Sequence, residues 1–272
     1  MNSGMIFRKL LLIYQMPKAG SQTIEATLQQ CGLPHQLYRF HILSTAFAQP
    51  IREKLLDEAV PEAWKQGARE QLRFMARTSR ILRLRNVLRA CGARIPKLEV
   101  ISGLREPIGL TLSSIFENFS FFFQKSDSVA LADYQDILLR PRAMNLAQRW
   151  FDWELKPFTG IDVYSVPFPR ETGYAIYENR FARALVYRYE ALGKLPAMLH
   201  EFLGCEVPAV LNRNIGSSKA YSQSYQEAKE QLRLPSGFVA SQCNSKMMQH
   251  FYSAEERRAF QELWTQKEQA NA

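Results

Sequence analysis

Lys9-Leu-Leu-Leu-Ile-Tyr-Gln-Met-Pro-Lys-Ala-Gly-Ser-Gln-Thr-Ile24 decides the reading of this chain. Leu10 to Tyr14 is an unbroken apolar run, which suits a strand buried on both faces of a parallel sheet. Pro17 has no N–H to give to a ladder, so the strand stops there. Lys18, Ala19, Gly20 and Ser21 make a tight turn of mostly small residues with one fixed positive charge. Ile24, Leu28 and Cys31 then recur at helical spacing, and Gly32 ends the helix. Strand, turn and helix N-terminus together aim backbone N–H groups and a partial positive charge at one point, which is how proteins hold phosphate. The loop is neither Gly-x-x-x-x-Gly-Lys-[Ser/Thr] nor Gly-x-Gly-x-x-Gly, because here the lysine precedes the glycine.

Working outward, Leu33 to Leu43 alternates Tyr38, Phe40 and Ile42 with Leu37, Arg39 and His41. That reads as a second strand with His41 near its C-terminal end, the edge where open parallel sheets bind ligands. Residues 50–92 are helical and rich in arginine. Arg69, Arg73, Arg77 and Arg80 form a stripe opposite Leu72, Met75, Ala76 and Leu82. The stripe reads as a solvated face, a track for an acidic acceptor, or a contact with anionic lipid headgroups. Residues 44–97 therefore form a helical insertion after the second strand. Lys97 to Leu104 is a third strand, running into Arg105-Glu-Pro-Ile-Gly-Leu-Thr-Leu-Ser113 and a helix with proline in its first turn. Arginine at a strand end and a serine two turns into the next helix can meet on one phosphate, through a planar fork and a hydroxyl.

The pair of motifs resembles the PAPS-dependent sulfotransferase superfamily (PAPS is 3′-phosphoadenosine-5′-phosphosulfate). Pro17-Lys-Ala-Gly-Ser-Gln-Thr23 is similar to the family's 5′-phosphosulfate loop, and Arg105 with Ser113 to its 3′-phosphate motif. Ala184-Leu-Val-Tyr-Arg-Tyr-Glu-Ala-Leu192 and Glu201-Phe-Leu-Gly204 resemble a later core strand and helix end. Trp150-Phe-Asp152, Gly160 to Phe168 and Phe251 to Glu256 look most like the bacterial capsular-polysaccharide-synthesis group. The resemblance implies a P-loop-like three-layer α/β/α fold around a central parallel sheet, in a single domain over 1–272 with a helical C-terminal region at 205–272. It implies PAPS as co-substrate and no metal. Lys18, Ala19, Gly20, Ser21, Gln22 and Thr23 would hold the 5′-phosphate, and Arg105 and Ser113 the 3′-phosphate. Arg213 and Lys219, in the polar stretch Asn212 to Ser222, would close over the nucleotide. Lys18 would also act in catalysis, with His41 as first choice of general base and Glu25 as second. The acceptor would be a hydroxyl of a glycan or glycolipid-like molecule.

The remaining features bound this reading. A formal charge of +9 over 272 residues points to anionic partners. Cys31, Cys91, Cys205 and Cys243 are far apart in sequence and form no Cys-x-x-Cys, which fits free thiols in a reducing, cytoplasmic setting. His35, His41, His200 and His250 show no metal-ligand spacing. Interleaved aromatic and basic residues of the RNA-binding type are absent, so nucleic acid is not expected. Two alternatives stay open: a nucleotide-dependent kinase with an atypical phosphate loop, and a non-catalytic basic protein that binds nucleotides or other anions. Phe116 to Phe123 reads as core, or as a wall of the acceptor pocket, and Ile161 to Val166 as a further strand.

Overall fold

The structure, a computed structural model, describes residues 9–44, 52–53, 55–56, 62–117, 130–140, 143–207, 210 and 222–265. Five strands, β1 (Leu10–Tyr14), β2 (Gln36–Phe40), β3 (Leu98–Leu104), β4 (Tyr174–Glu178) and β5 (Ala182–Arg188), form one sheet in the order β2-β1-β3-β5-β4. The first three and β5 are parallel, while β4 runs antiparallel to β5 at the edge. Helices α1 (Ser21–Leu28), α2 (Glu62–Ala90), α3 (Pro107–Glu117) and α4 (Leu131–Leu139) come first. A π turn, Phe151–Leu155, joins α5 (Asn145–Trp150) to α6 (Lys156–Thr159). After β5 come α7 (Leu195–Leu203), α8 (Ser222–Gln231), α9 (Ser236–Cys243), α10 (Lys246–Phe251) and α11 (Ala254–Trp264).

All five residues of β1 are buried, and the pleat sends them to two different cores. Leu10, Leu12 and Tyr14 pack with Met75 and Leu82 of α2, Trp150 and Phe151, and Phe251. Leu11 and Ile13 pack with Ile24 and Leu28 of α1 and with Leu195, Leu199 and Phe202 of α7. Helical side chains thus cover both faces, which is why β1 reads as continuously apolar rather than alternating. A third cluster joins Ile108, Leu112 and Ile115 of α3 to Ile137 and Leu138 of α4 and to Leu232, Val239 and Trp264, so the C-terminal helices rest on α3.

From β1 the chain moves outward to β2, then returns past β1 to β3 on the other side. The topological switch point, where such sheets bind ligands, lies between β1 and β3. Pairing of β1 with β3 stops at Ile13–Ile101, whereas β3 stays paired with β5 as far as Leu104–Arg188. The two strands therefore part as they approach Pro17 and Arg105.

Three expectations are corrected. Ile161 to Val166 is not a strand: Asp162 caps a 3₁₀ turn at Val163–Ser165 by accepting from the Tyr164 N–H at 3.0 Å. The extra strand is β4, tied to β5 by Asn179, whose side-chain oxygen accepts from the N–H groups of Phe181 and Ala182. The sheet is accordingly mostly, not wholly, parallel. Ala76 belongs to the exposed side of α2, where Met75, Ser79 and Leu82 are the buried ones. Cys31 and Cys205, far apart in sequence, are adjacent in the fold, and burial with that neighbour pushes Cys205 up to about 11.

Candidate functional site

The loop after β1 is held from beneath by β5. Tyr187, fully buried, donates its hydroxyl proton to the Ala19 carbonyl and lies 3.0 Å from Gln15 Oε1. The same Gln15 oxygen accepts from the Gly103 N–H at 3.3 Å, so one carboxamide fills the gap where β1 and β3 part. A side chain at Gly103 would collide with the Tyr187 ring. Above this support, Lys18 has φ 62°, the one positive φ among the described non-glycine residues, and Gly20 follows at φ 89°. A bend of that kind in a lysine is uncommon and costs energy, which the Tyr187 clamp offsets.

The bend delivers the chain into α1. Its N-cap, Gly20, has no side chain to cap it and its first turn holds no acid, so the positive end of the helix meets no carboxylate of its own first turn. Ala19, Ser21 and Thr23 are buried, Gly20 and Gln22 half-buried. Lys18 Nζ stands 2.8 Å from Glu117 Oε2, with the lysine side chain only 12 % exposed.

The elbow after β3 is built differently. Glu106 folds back on α3 and accepts from the N–H groups of Ile108 at 2.8 Å and Gly109 at 2.6 Å, so this helix start is already capped. Burial drives the Glu106 carboxyl up to about 7 against the opposing pull of Arg105 and those two amides. Arg105 carries the positive charge here. Its guanidinium lies 4.7 Å over the Tyr189 ring and donates to the Tyr225 hydroxyl at 3.2 Å. Ser113 is half-buried on α3 and has no hydrogen-bond partner among the described residues. The hydroxyls beside it are committed: Thr111 donates to the Pro107 carbonyl and Ser114 to that of Leu110. Arg105 directly precedes α3, Ser113 lies within it and Glu117 ends it, so one helix carries the 105/113 pair and the partner of Lys18.

His41 is the first residue past β2. Its Nδ1 is 2.9 Å from the Gln15 carbonyl, which can only accept, so Nδ1 is protonated and Nε2 holds the lone pair. Burial lowers its pKa below the ordinary histidine value, the Gln15 bond opposes this, and the charges of Arg39, Glu117 and Lys18 also reach it. A neutral imidazole therefore stands beside the Lys18–Glu117 pair. Glu25 is engaged: its carboxylate is bonded to Arg39 Nε at 2.7 Å. Arg213 and Lys219 lie outside the described residues, as do Phe119 to Phe123.

Several groups at the site were not singled out from sequence. Glu154, on the π turn and fully buried, accepts from the Tyr14 and Ser44 hydroxyls, the Leu43 N–H at 2.7 Å and the Ser44 N–H at 3.0 Å. It thereby ties the segment after His41 to the end of β1, while Trp150 Nε1 donates to the His41 carbonyl at 3.0 Å. Burial outweighs those hydrogen bonds and raises the Glu154 carboxyl above its usual range. Its sequence signal was an acid inside an aromatic-rich apolar run, Trp150 to Leu155. Tyr187 and Tyr189 were legible only as part of the strand motif Ala184 to Leu192, and Glu117 and Tyr225 had no signal, because only folding brings them to the strand ends.

No helix among the described residues is long and apolar enough to cross a membrane. No curated protein and no solved structure matches the chain. Residues 127–253, which include Glu154, Tyr187, Tyr189 and Tyr225 but neither the β1 loop nor Arg105, match the family model described as Putative capsular polysaccharide synthesis protein.

Proposed function

We infer that this chain is a sulfotransferase, moving a sulfuryl group from PAPS to a hydroxyl of a glycan or glycolipid-like acceptor. One observation carries the reading. Two cationic elements of different build flank the β1–β3 switch point: Lys18 before α1, whose N-cap is a glycine, and Arg105 with Ser113, whose hydroxyl has no partner among the described residues. A nucleotide with phosphates at both its 5′ and 3′ positions presents two anions to two such elements. The β1 loop with the strand order supports a P-loop-like reading of the sheet and its helices, and the capsule-synthesis match supports a glycan acceptor.

In this scheme the residues divide the work. Amides at the start of α1, with Ser21, Gln22 and Thr23, grip the 5′-phosphate; Arg105 and Ser113 grip the 3′-phosphate. Arg213 and Lys219 are further candidates for that second grip. His41 Nε2 takes the proton of the acceptor hydroxyl as its oxygen attacks sulfur. The bond from sulfur to the 5′-phosphate oxygen breaks, and that oxygen keeps the electron pair as adenosine 3′,5′-bisphosphate departs. Lys18 meets the charge growing there, a contribution of about 3 kcal/mol for one well-placed donor. With lysine and helix end supplying positive charge, the scheme needs no metal. Glu25 is the second candidate base, but as base it must first leave Arg39.

Thermal unfolding with adenosine 3′,5′-bisphosphate, AMP, or ATP with magnesium tests this. The bisphosphate should raise the midpoint, AMP should raise it little, and magnesium should not matter. Arg105→Ala should abolish the bisphosphate effect. Equal stabilisation by AMP, or stabilisation by ATP only with magnesium, would overturn the assignment.

A further inference from the structure

Helix α2 has two faces, and the fold uses one. Ala68, Met75, Ser79 and Leu82 are buried. Polar anchors fasten the helix on that side: Asn86 donates to the Phe158 carbonyl at 3.0 Å, Arg89 to that of Arg180 at 2.9 Å, and Arg85 to that of Pro96 at 2.8 Å. On the other side Arg73, Arg77, Arg80, Leu84 and Val87 follow one another at steps of four, three, four and three. At about 100° per residue these five fall within an arc of about 80°, nearly opposite Met75 and Leu82. All five are exposed, Leu84 at 45 % and Val87 at 57 %.

The charge on this face is one-sided. The helix carries eight lysines and arginines against two glutamates, Glu62 and Glu70. Glu62 is taken by Arg69, and Arg83 lies over the Phe158 ring at 5.7 Å. Arg73, Arg77 and Arg80 have no acidic partner among the described residues. A second copy laid antiparallel along the whole seam would set Arg80 against Arg80. A soluble polyanion would use the arginines but has no need of Leu84 and Val87 in the same line. A surface that is anionic at its headgroups and apolar just beneath them matches both halves.

We propose that the Arg73–Val87 face of α2 is a membrane-docking surface for anionic phospholipid, with the arginines at the phosphates and Leu84 and Val87 at the headgroup–acyl boundary. The site at the strand ends is not part of this surface, so the two assignments stand or fall separately.

Co-sedimentation of the full chain with vesicles decides it, comparing phosphatidylcholine alone with phosphatidylcholine containing about 30 mol % phosphatidylglycerol. Binding should require the anionic lipid and weaken steeply as salt rises past ~0.1 M, where charges are screened within ~10 Å. Each arginine near such a surface is worth roughly fivefold in partitioning, so Arg73→Gln/Arg77→Gln/Arg80→Gln should lose about 100-fold. Because all three are exposed, the unfolding midpoint and the response to adenosine 3′,5′-bisphosphate should not change. Leu84→Ser/Val87→Ser should remove the part of the binding that survives high salt. No binding to either vesicle, equal binding to both, or unchanged binding by the triple variant overturns the proposal. So does salt-sensitive capture by duplex DNA without vesicle binding, or a dimer by light scattering that the triple variant dissolves.

Discussion

Glu154→Ala removes a single buried carboxylate and with it the acceptor for four donors, the Tyr14 and Ser44 hydroxyls and the N–H groups of Leu43 and Ser44. The hydroxyls can turn to other partners, but the two amides cannot. Each amide left buried without an acceptor costs ~1–3 kcal/mol, so the pair costs ~2–6 kcal/mol. Against a typical total of ~5–15 kcal/mol that is a large share of the stability. Glu154→Gln is the informative partner. Its carboxamide oxygen can take over at the Oε2 position, where both amides and the Tyr14 hydroxyl converge, and its NH₂ can donate to the Ser44 hydroxyl. The glutamine variant should then lose far less than the alanine variant, because both amides keep an acceptor. pH adds an independent sign. A carboxyl raised by burial contributes most stability when protonated, below its unfolded value, and that contribution disappears as pH climbs through the raised folded value. The advantage of wild type over glutamine should therefore shrink with rising pH. Urea unfolding of the three proteins over a pH series measures all of this. If alanine proves as mild as glutamine, Glu154 does not hold the segment after His41 in the way described.

Glu106 should show the same sign in a narrower window. With a folded value of about 7 against an ordinary 4.5, its stabilising contribution is complete below ~4.5 and gone above ~7, a change of about 3 kcal/mol. In urea unfolding, the stability of wild type minus that of Glu106→Gln should fall by about that amount between these limits, and parallel pH curves would refute it. Gly20→Ala places a methyl group at φ 89° and 2.9 Å from Leu192 Cδ2. Thermal unfolding should show a loss of ~1–3 kcal/mol, of which a Leu192→Ala background removes the contact part and leaves ~1 kcal/mol of backbone strain.

How far the sequence reaches depends on what each residue reports. Leu10–Tyr14, Pro17 and Gly20 report on their own backbone, and β1, the bend and the start of α1 fall where they were expected, although α1 stops at Leu28 and leaves Cys31 and Gly32 in the turn beyond it. The same holds for β3, where Leu98–Leu104 runs into Pro107 as the first residue of α3. Ile161 to Val166 misleads because alternating apolar residues fit any half-buried segment. There the side chain of Asp162 competes for the backbone and wins, and a strand signature cannot show that. Glu25 shows a different limit. Its place on α1 could be read, but its ion pair with Arg39 comes from pairing β1 with β2, a fact about topology. Tyr187 and Glu154 are the extreme cases, acting on residues 168 and 140 positions away. Cys31 and Cys205 meet only because α1 and α7 share one face of the sheet.

The contact between Lys18 and Glu117 also has a bearing on selectivity. A carboxylate tethered 2.8 Å from the ammonium acts as a resident counterion, present at high local concentration whatever the solvent holds. Chloride or a lone monovalent anion gains little by evicting it. A guest that brings two negative groups, and reaches Arg105 with the second, wins the exchange by being bivalent where Glu117 is not.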